Sequence, residues 1–506
     1  MQPSIGLVDA AILATYLGAV VALGIYLGRG QRDVDGYLLG GRNLPGWAVL
    51  LSIVATETST VTFLSIPGLT YRPGGSFVFL QLTLGYILGR LLVVLLFLPH
   101  YFLGELFTAY EVLQRRFGGG ARQAASLLFL VTRNLGDGLR LFLSAIVMER
   151  MLGIDLAFAI VILGAATILY TFAGGIKSVV WNDCIQFFVY VGGALLAGIV
   201  LLALLGSGST ELSAPWAHVG EGWTKLVDFA RTEDKLRLFD FSLHPATPYT
   251  LWSGIFGGVF VALATHGTDQ LMVQRYLAAR SRKAAAAALS LSGFIVAGQF
   301  ALFLLIGVGL AAFYDRFPPA VAFTRQDQVF PAFIVDYLPA GAVGLIVAAV
   351  FAAAMSTLSS SLNSSASAAI NDFYRPWRRQ ASAGELLRAS RLATVLFGLV
   401  QIAVAVIGRR LESTVIESVM AIAGFVSGVV LGIFFLGTLT RRVGQQAALV
   451  GLGGGLAVMT AIVFGTSLAW PWYALVGSTL TFVIGLLASL FLPATQNSAG
   501  RESRAG

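Results

Sequence analysis

The sequence is short of almost everything a soluble enzyme uses. One cysteine in 506 residues, Cys184, excludes an internal disulfide and a cysteine-based metal cluster, and leaves the redox compartment open. Only 11% of residues are charged and only four are histidines. No GxxxxGK[ST] phosphate cradle occurs, and FAGGIKSVV has neither its spacing nor its terminal hydroxyl, so nucleotide hydrolysis has no visible machinery. GxSxG, HExxH and CxxC are absent as well. What is abundant is apolar: 57% of residues are hydrophobic, mean hydropathy is +0.81, and runs of membrane-spanning length recur from end to end.

These runs predict an all-α polytopic membrane protein. In lipid every backbone amide must be paired, and the signal is a series of about 20-residue runs rather than ten-residue alternation, which means helices and not a barrel. Thirteen spans are expected, at 7–28, 47–68, 76–100, 122–151, 155–174, 179–206, 249–277, 285–313, 334–371, 387–409, 413–440, 446–465 and 470–492. The first is too long for a signal-peptide core and has no basic residue before it, so it is kept as a span. With the N-terminus outside, 20 of the 33 basic residues, Arg275 among them, fall on the cytoplasmic side and 10 outside; Arg90, Arg133 and Arg140 lie within spans. That asymmetry predicts N-out, C-in insertion in a plasma (inner) membrane. The net charge of +8 then faces anionic lipid and needs no nucleic acid. Residues 1–495 read as one transmembrane unit, with a long external loop at 207–248 containing the amphipathic GWTKLVDFARTEDKLRLF, and 496–506 as a short disordered tail. Nothing requires an obligatory protein partner. Without a nucleotide engine, secondary transport is what remains.

A coupled transporter needs ion and solute sites near the midplane, built where helices break. In LLSIVATETSTVTFLSIPG, residues 50–68, hydroxyl residues interrupt an apolar run and weaken the helix, so a break is expected near Ala55 to Thr58. Packing of small polar residues against neighbouring helices is the alternative, and Glu57 weighs against it, because a carboxylate at membrane depth is costly. In AAAMSTLSSSLNSSASAAIND, residues 352–372, Ser356, Ser359, Ser360 and Asn363 share one helical face, with Thr357 and Ser361 adjoining. Such a face suits Na⁺, which takes neutral hydroxyl and carbonyl oxygens; small-residue packing is again the alternative. Within TRNLGDGLR, Asp137 is spaced to pair with both Arg133 and Arg140. Two readings of this network, with Arg90 and Glu57, stay open: self-neutralisation, or a guanidinium left to clamp a solute carboxylate.

Four stretches in order, YLLGGRNLPGWAVLLSIVATETST, YTFAGGIKSVVWNDCIQ, GTDQLMVQRYLAARS and AAAMSTLSSSLNSSASAAINDFY, resemble the sodium/solute symporter family and span most of the chain. The resemblance implies a LeuT-type fold: two inverted five-helix repeats, about 47–206 and 249–440, with one extra N-terminal and two extra C-terminal helices. It implies a first Na⁺ site at the carbonyls of Ala55, Thr58 and Ala353 and the hydroxyls of Ser356 and Thr357, and a second at Asp183, Ser359 and Ser360. It implies a solute pocket near Glu57, Thr62, Thr83, Tyr86, Gly136, Thr265 and His266, and assigns Asp269 and Gln270 to the scaffold. The carboxamides or carboxylates expected of sugar carriers at Thr62, Thr83 and Gly136 are missing, which puts a sugar or polyol in doubt, while the guanidinium-clamp reading favours a small polar or anionic solute. The expected activity is Na⁺-coupled import by alternating access. A proton-coupled variant through Glu57 or Asp183 stays open; a channel would need a continuous hydrophilic lining, and an enzyme would leave the hydroxyl cluster unexplained.

Overall fold

The computed structural model describes residues 6–492 apart from 30, 32, 212–216, 320–322 and 324; the expected tail and Arg32, Arg501 and Arg504 lie outside the described residues. Its principal helices are α1 (Leu7–Gly28), α2 (Gly46–Glu57), α3 (Thr60–Tyr71), α4 (Gln81–Leu96), α5 (Gly119–Leu152), α6 (Leu156–Ser207) and α7 (Gly258–Gly267). They continue with α8 (Gln270–Ala278), α9 (Arg282–Arg316), α10 (Ala342–Ala368), α11 (Ala383–Gly408), α12 (Ser413–Leu439), α13 (Gln445–Gly465) and α14 (Tyr473–Ala488). Among the described residues nine helices are long and apolar enough to cross a membrane, or ten if α2 and α3 form one bent span. The protein is all-helical, and one isolated bridge, Leu44 to Ala279, is the extended pairing among the described residues.

Helix occupies each expected stretch, but three stretches are interrupted and two are joined, for local reasons. The 47–68 run bends by 61°. Its break falls at Thr58 and Ser59, both in extended conformations, at the end of the expected Ala55 to Thr58 stretch. Thr58 turns its hydroxyl back onto the Val54 carbonyl (3.1 Å), while Ser59 caps α3 by accepting from the Thr62 amide (3.3 Å). The runs 155–174 and 179–206 are joined within α6, whose single non-helical residue is Gly175 (φ 52°, ψ −147°). A Cβ there would sit 2.2 Å from the Tyr37 carbonyl, so only glycine makes this reversal. Tyr170 and Asp183 both reach residues 355–356 of α10, although thirteen residues of straight helix would hold them about 20 Å apart. The 249–277 run breaks at Thr268 and Asp269, and the 334–371 run is split by Pro339 and Gly341 (φ 87°) into Val329–Tyr337 and α10.

The connections gather at two ends. At one, the Leu44 amide donates to Ala278 and the Arg280 amide to Leu44 (both 3.0 Å), tying the start of α2 to the end of α8. There too, Arg122 of α5 reaches buried Asp372 beyond α10 (2.6 Å) and Glu111 (3.3 Å). Burial raises the Glu111 carboxyl above its usual range against the pull of Arg122. At the other end, Asp9 accepts from the amides of Gly341 and Gly344, both 2.7 Å. The amphipathic stretch is helical over Val219–Thr232 and buries Leu226 and Ala230. α10 lies in the middle of the bundle, with every residue from Ile346 to Ala368 buried.

Candidate functional site

The two broken helices meet at their breaks. Glu57, last residue of α2, receives Arg90 Nη2 of α4 at 2.5 Å on both carboxylate oxygens and lies 3.2 Å from His266 Nε2 of α7. Arg90 Nε also lies 3.2 Å from that ring nitrogen, and the other one, Nδ1, is 3.2 Å from the Tyr276 hydroxyl. Glu57 therefore neutralises Arg90, and His266 is tied into the same buried pair.

At the first break, α2 ends without helical partners for the carbonyls from Ala55 onward. Thr357 of α10 bridges the gap, its hydroxyl 3.2 Å from the Thr56 carbonyl and 3.4 Å from that of Ala353. Gln299 of α9 donates to the Thr58 hydroxyl (2.6 Å). Freed carbonyls at the end of α2 facing a hydroxyl-bearing helix are the kind of oxygens a hard monovalent cation takes, whereas the Ala353 carbonyl lies inside α10 and reaches the break through Thr357. Ser356 points elsewhere, donating to Asp183 Oδ1 (2.6 Å).

Asp183, wholly buried in the second half of α6, is the centre of a second cluster. It accepts from Ser52 (2.5 Å), Thr56 (3.4 Å) and Ser356. It also accepts from Arg275 Nη2 of α8 (3.0 Å), a residue expected in a basic loop but only 1% exposed in the structure. Counting Arg275 by position along the chain hid this, because α8 continues inward where the sequence reads as the end of a span. Ser360 joins the cluster; Ser359 turns its hydroxyl to the Ser356 carbonyl (3.2 Å) and not to Asp183.

The third feature is a cavity of about 480 Å³ between α5, α7, the second break, α12 and the start of α14. Its wall is largely apolar and aromatic, from Phe129, Val261, Met420, Val426, Trp470 and Tyr473, with Thr265, Arg133, Arg140 and Asp269 as polar groups. Arg133 pairs with Asp269, the residue that caps α8, and lies 3.6 Å from buried Asp137, which also takes Arg140 Nη1. Arg140 keeps 31% of its side chain exposed. Of the seven expected pocket residues only Thr265 lines this cavity. Glu57 and His266 are bound to Arg90, Thr83 turns its hydroxyl to the Leu80 carbonyl (2.7 Å), and Thr62 is held at the α3 cap by Ser59. Tyr86 is half-buried on α4, and Gly136 packs toward α12, where an added Cβ would sit 3.6 Å from Ala423. Gln270 is scaffold, accepting from the Ala109 amide (2.8 Å) and donating to Phe107 (3.0 Å).

Comparison with known proteins agrees with this architecture. The sodium:solute symporter family model matches residues 37–455. The sodium/sialic acid symporter SiaT of Proteus mirabilis is 30% identical over 97% of both chains. The human sodium/iodide cotransporter is 29% identical, covering 93% of this chain and 72% of its own. Human sodium-coupled monocarboxylate transporter 1 is 28% identical over 92% and 74%. A solved substrate-bound, outward-open Na⁺-coupled sialic acid symporter superposes with a TM-score of 0.86 at 28% identity, over 98% of this chain and all of that one. A nucleobase-cation-symport-1 transporter, at 15% identity and a TM-score of 0.57, shares the fold alone. The fold is therefore of the LeuT type, the chain is a transporter and not an enzyme, and it belongs to the sodium:solute symporter family.

Proposed function

We propose that this protein imports a small organic anion together with Na⁺, from an N-out, C-in topology in the plasma (inner) membrane. The observation that carries the substrate class is the cavity: mostly apolar walls of about 480 Å³, with one half-exposed guanidinium, Arg140, whose close carboxylate partner Asp137 is shared with Arg133. A guanidinium holds a carboxylate through paired charge-assisted hydrogen bonds, and the surrounding aromatic surface suits an apolar body. The named relatives concern iodide, sialic acid and monocarboxylates, all anionic at neutral pH, which supports the same class. Arg140 and Thr265 are assigned to the solute. Ala55, Thr58, Ala353 and Thr357 are assigned to Na⁺, with Ser356 recruited if its hydroxyl leaves Asp183.

The coupling follows from position. Na⁺ at the first break would hold α2 and α3 against α10, and the second break, capped by Asp269, forms part of the cavity floor where the anion sits. Binding of both favours closure over the cavity and reopening at the other end, taking the repeats at about 47–206 and 249–440 as the moving halves. Each Na⁺ crossing a 100 mV potential contributes about 2.3 kcal/mol, before its concentration gradient is added.

The test is thermal stability of purified protein in Na⁺ against K⁺ at matched ionic strength, across monocarboxylates, sialic acid, sugars, polyols and amino acids. A Na⁺-specific rise in melting temperature, enlarged by a carboxylate and lost in Thr357→Ala, is expected. A rise enlarged only by neutral sugars would overturn the anion assignment, and stabilisation by protons without Na⁺ would overturn the coupling ion.

A further inference from the structure

We infer that Arg275 is the resident cation of the Asp183 cluster, so that this transporter carries one Na⁺ per cycle and the cluster takes no second ion. The inference rests on the Na⁺ reading of the first break and concerns stoichiometry, which that reading leaves open.

The cluster supplies the oxygens a Na⁺ would need, namely one carboxylate and several hydroxyls, but Asp183 Oδ2, Ser52, Thr56 and Ser360 each already have an Arg275 nitrogen against them. Arg275 Nε donates to Ser52 (2.8 Å), Nη2 to Thr56 (2.5 Å), to Ser360 and to Asp183 Oδ2 (3.0 Å), and Nη1 to the Leu271 carbonyl of its own helix (2.6 Å). The hydroxyl protons are committed too: Ser52 and Thr56 direct theirs to Asp183, whose other oxygen takes Ser356. Each shared hydroxyl gives its proton to the carboxylate and a lone pair to the guanidinium. The guanidinium thus occupies the middle of this ring of oxygens, and a second cation beside it would meet like-charge repulsion in a dry site. Departure of the arginine is also opposed. Its side chain is 1% exposed, and its bond to Leu271 anchors it within α8. A planar, permanently charged group with five donors fits this ring of oxygens better than a point charge. One guanidinium thereby fastens α8 to α2, α6 and α10, the elements around the first break.

The test counts ions directly, by equilibrium ²²Na⁺ binding to the purified full chain. Wild-type protein is expected to bind one Na⁺ per chain with a Hill coefficient near 1. Arg275→Lys, which keeps a cation in place, should also bind one. Arg275→Gln frees the carboxylate and should bind two, the added site being suppressed by guanidinium in the medium. If that variant does not fold, the wild-type and Arg275→Lys counts decide alone. Two Na⁺ per wild-type chain would overturn this inference and leave the Na⁺-coupled reading standing, whereas none would remove the first site and both readings with it.

Discussion

Arg140 and Arg275 both lie within the helical bundle and both touch an aspartate, yet they are opposite cases. Arg275 has every side-chain nitrogen bonded, with partners on four helices, and is sealed from solvent; Arg140 gives one nitrogen to Asp137 and leaves nearly a third of its side chain exposed where it lines a cavity. The contrast shows that an ionisable residue at membrane depth is not by itself a binding residue. What separates scaffold from site is whether its hydrogen-bonding capacity is already spent.

Three substitutions test that contrast, in falling order of effect. Asp183→Ala leaves the sealed guanidinium unpaired, which costs about 3–5 kcal/mol where a buried pair is broken from one side. The expected result, read by size-exclusion chromatography and thermal melting, is loss of folded monodisperse protein, with substantial recovery when Asp183→Leu is combined with Arg275→Met. A stable single variant would mean that Arg275 has another route to solvent or partner. Arg140→Ala should leave melting in the absence of solute almost unchanged while weakening anion binding about 10- to 100-fold, the worth of a charged hydrogen bond of about 1.5–3 kcal/mol. A large loss of stability instead would place Arg140 with the scaffold. Arg325→Ala removes an exposed pair with Asp327 (2.8 Å) and should change stability by less than about 1 kcal/mol and transport not at all, as the control for charge loss alone.

Much of the helical order is legible in the sequence because lipid demands it: apolar length announces the helices, and the hydroxyl interruption announces the first break within a few residues. The spacing of Arg133, Asp137 and Arg140 announces their local pairing, since residues three and four apart share a helix face. The long-range partners are not legible. Arg275 and Asp183 are 92 residues apart, Arg133 and Asp269 are 136 apart, and no local pattern joins them. The solute pocket is the least readable element, because helix rotation decides which of Thr265, Glu57 or Thr83 faces a void. Hydropathy does not fix that rotation when every face is apolar. Gln299, which donates to Thr58 at the break, also carried no signal beyond being a carboxamide in an apolar helix.

The most direct measurement is uptake into proteoliposomes of the carboxylate found to stabilise the protein, driven by an inward Na⁺ gradient, for wild type and Arg140→Ala side by side. Concentrative uptake that collapses when Na⁺ is replaced by K⁺, and whose half-saturating solute concentration rises at least tenfold in Arg140→Ala, is the predicted result. Uptake that ignores the Na⁺ gradient, or that is unchanged in Arg140→Ala, would contradict it.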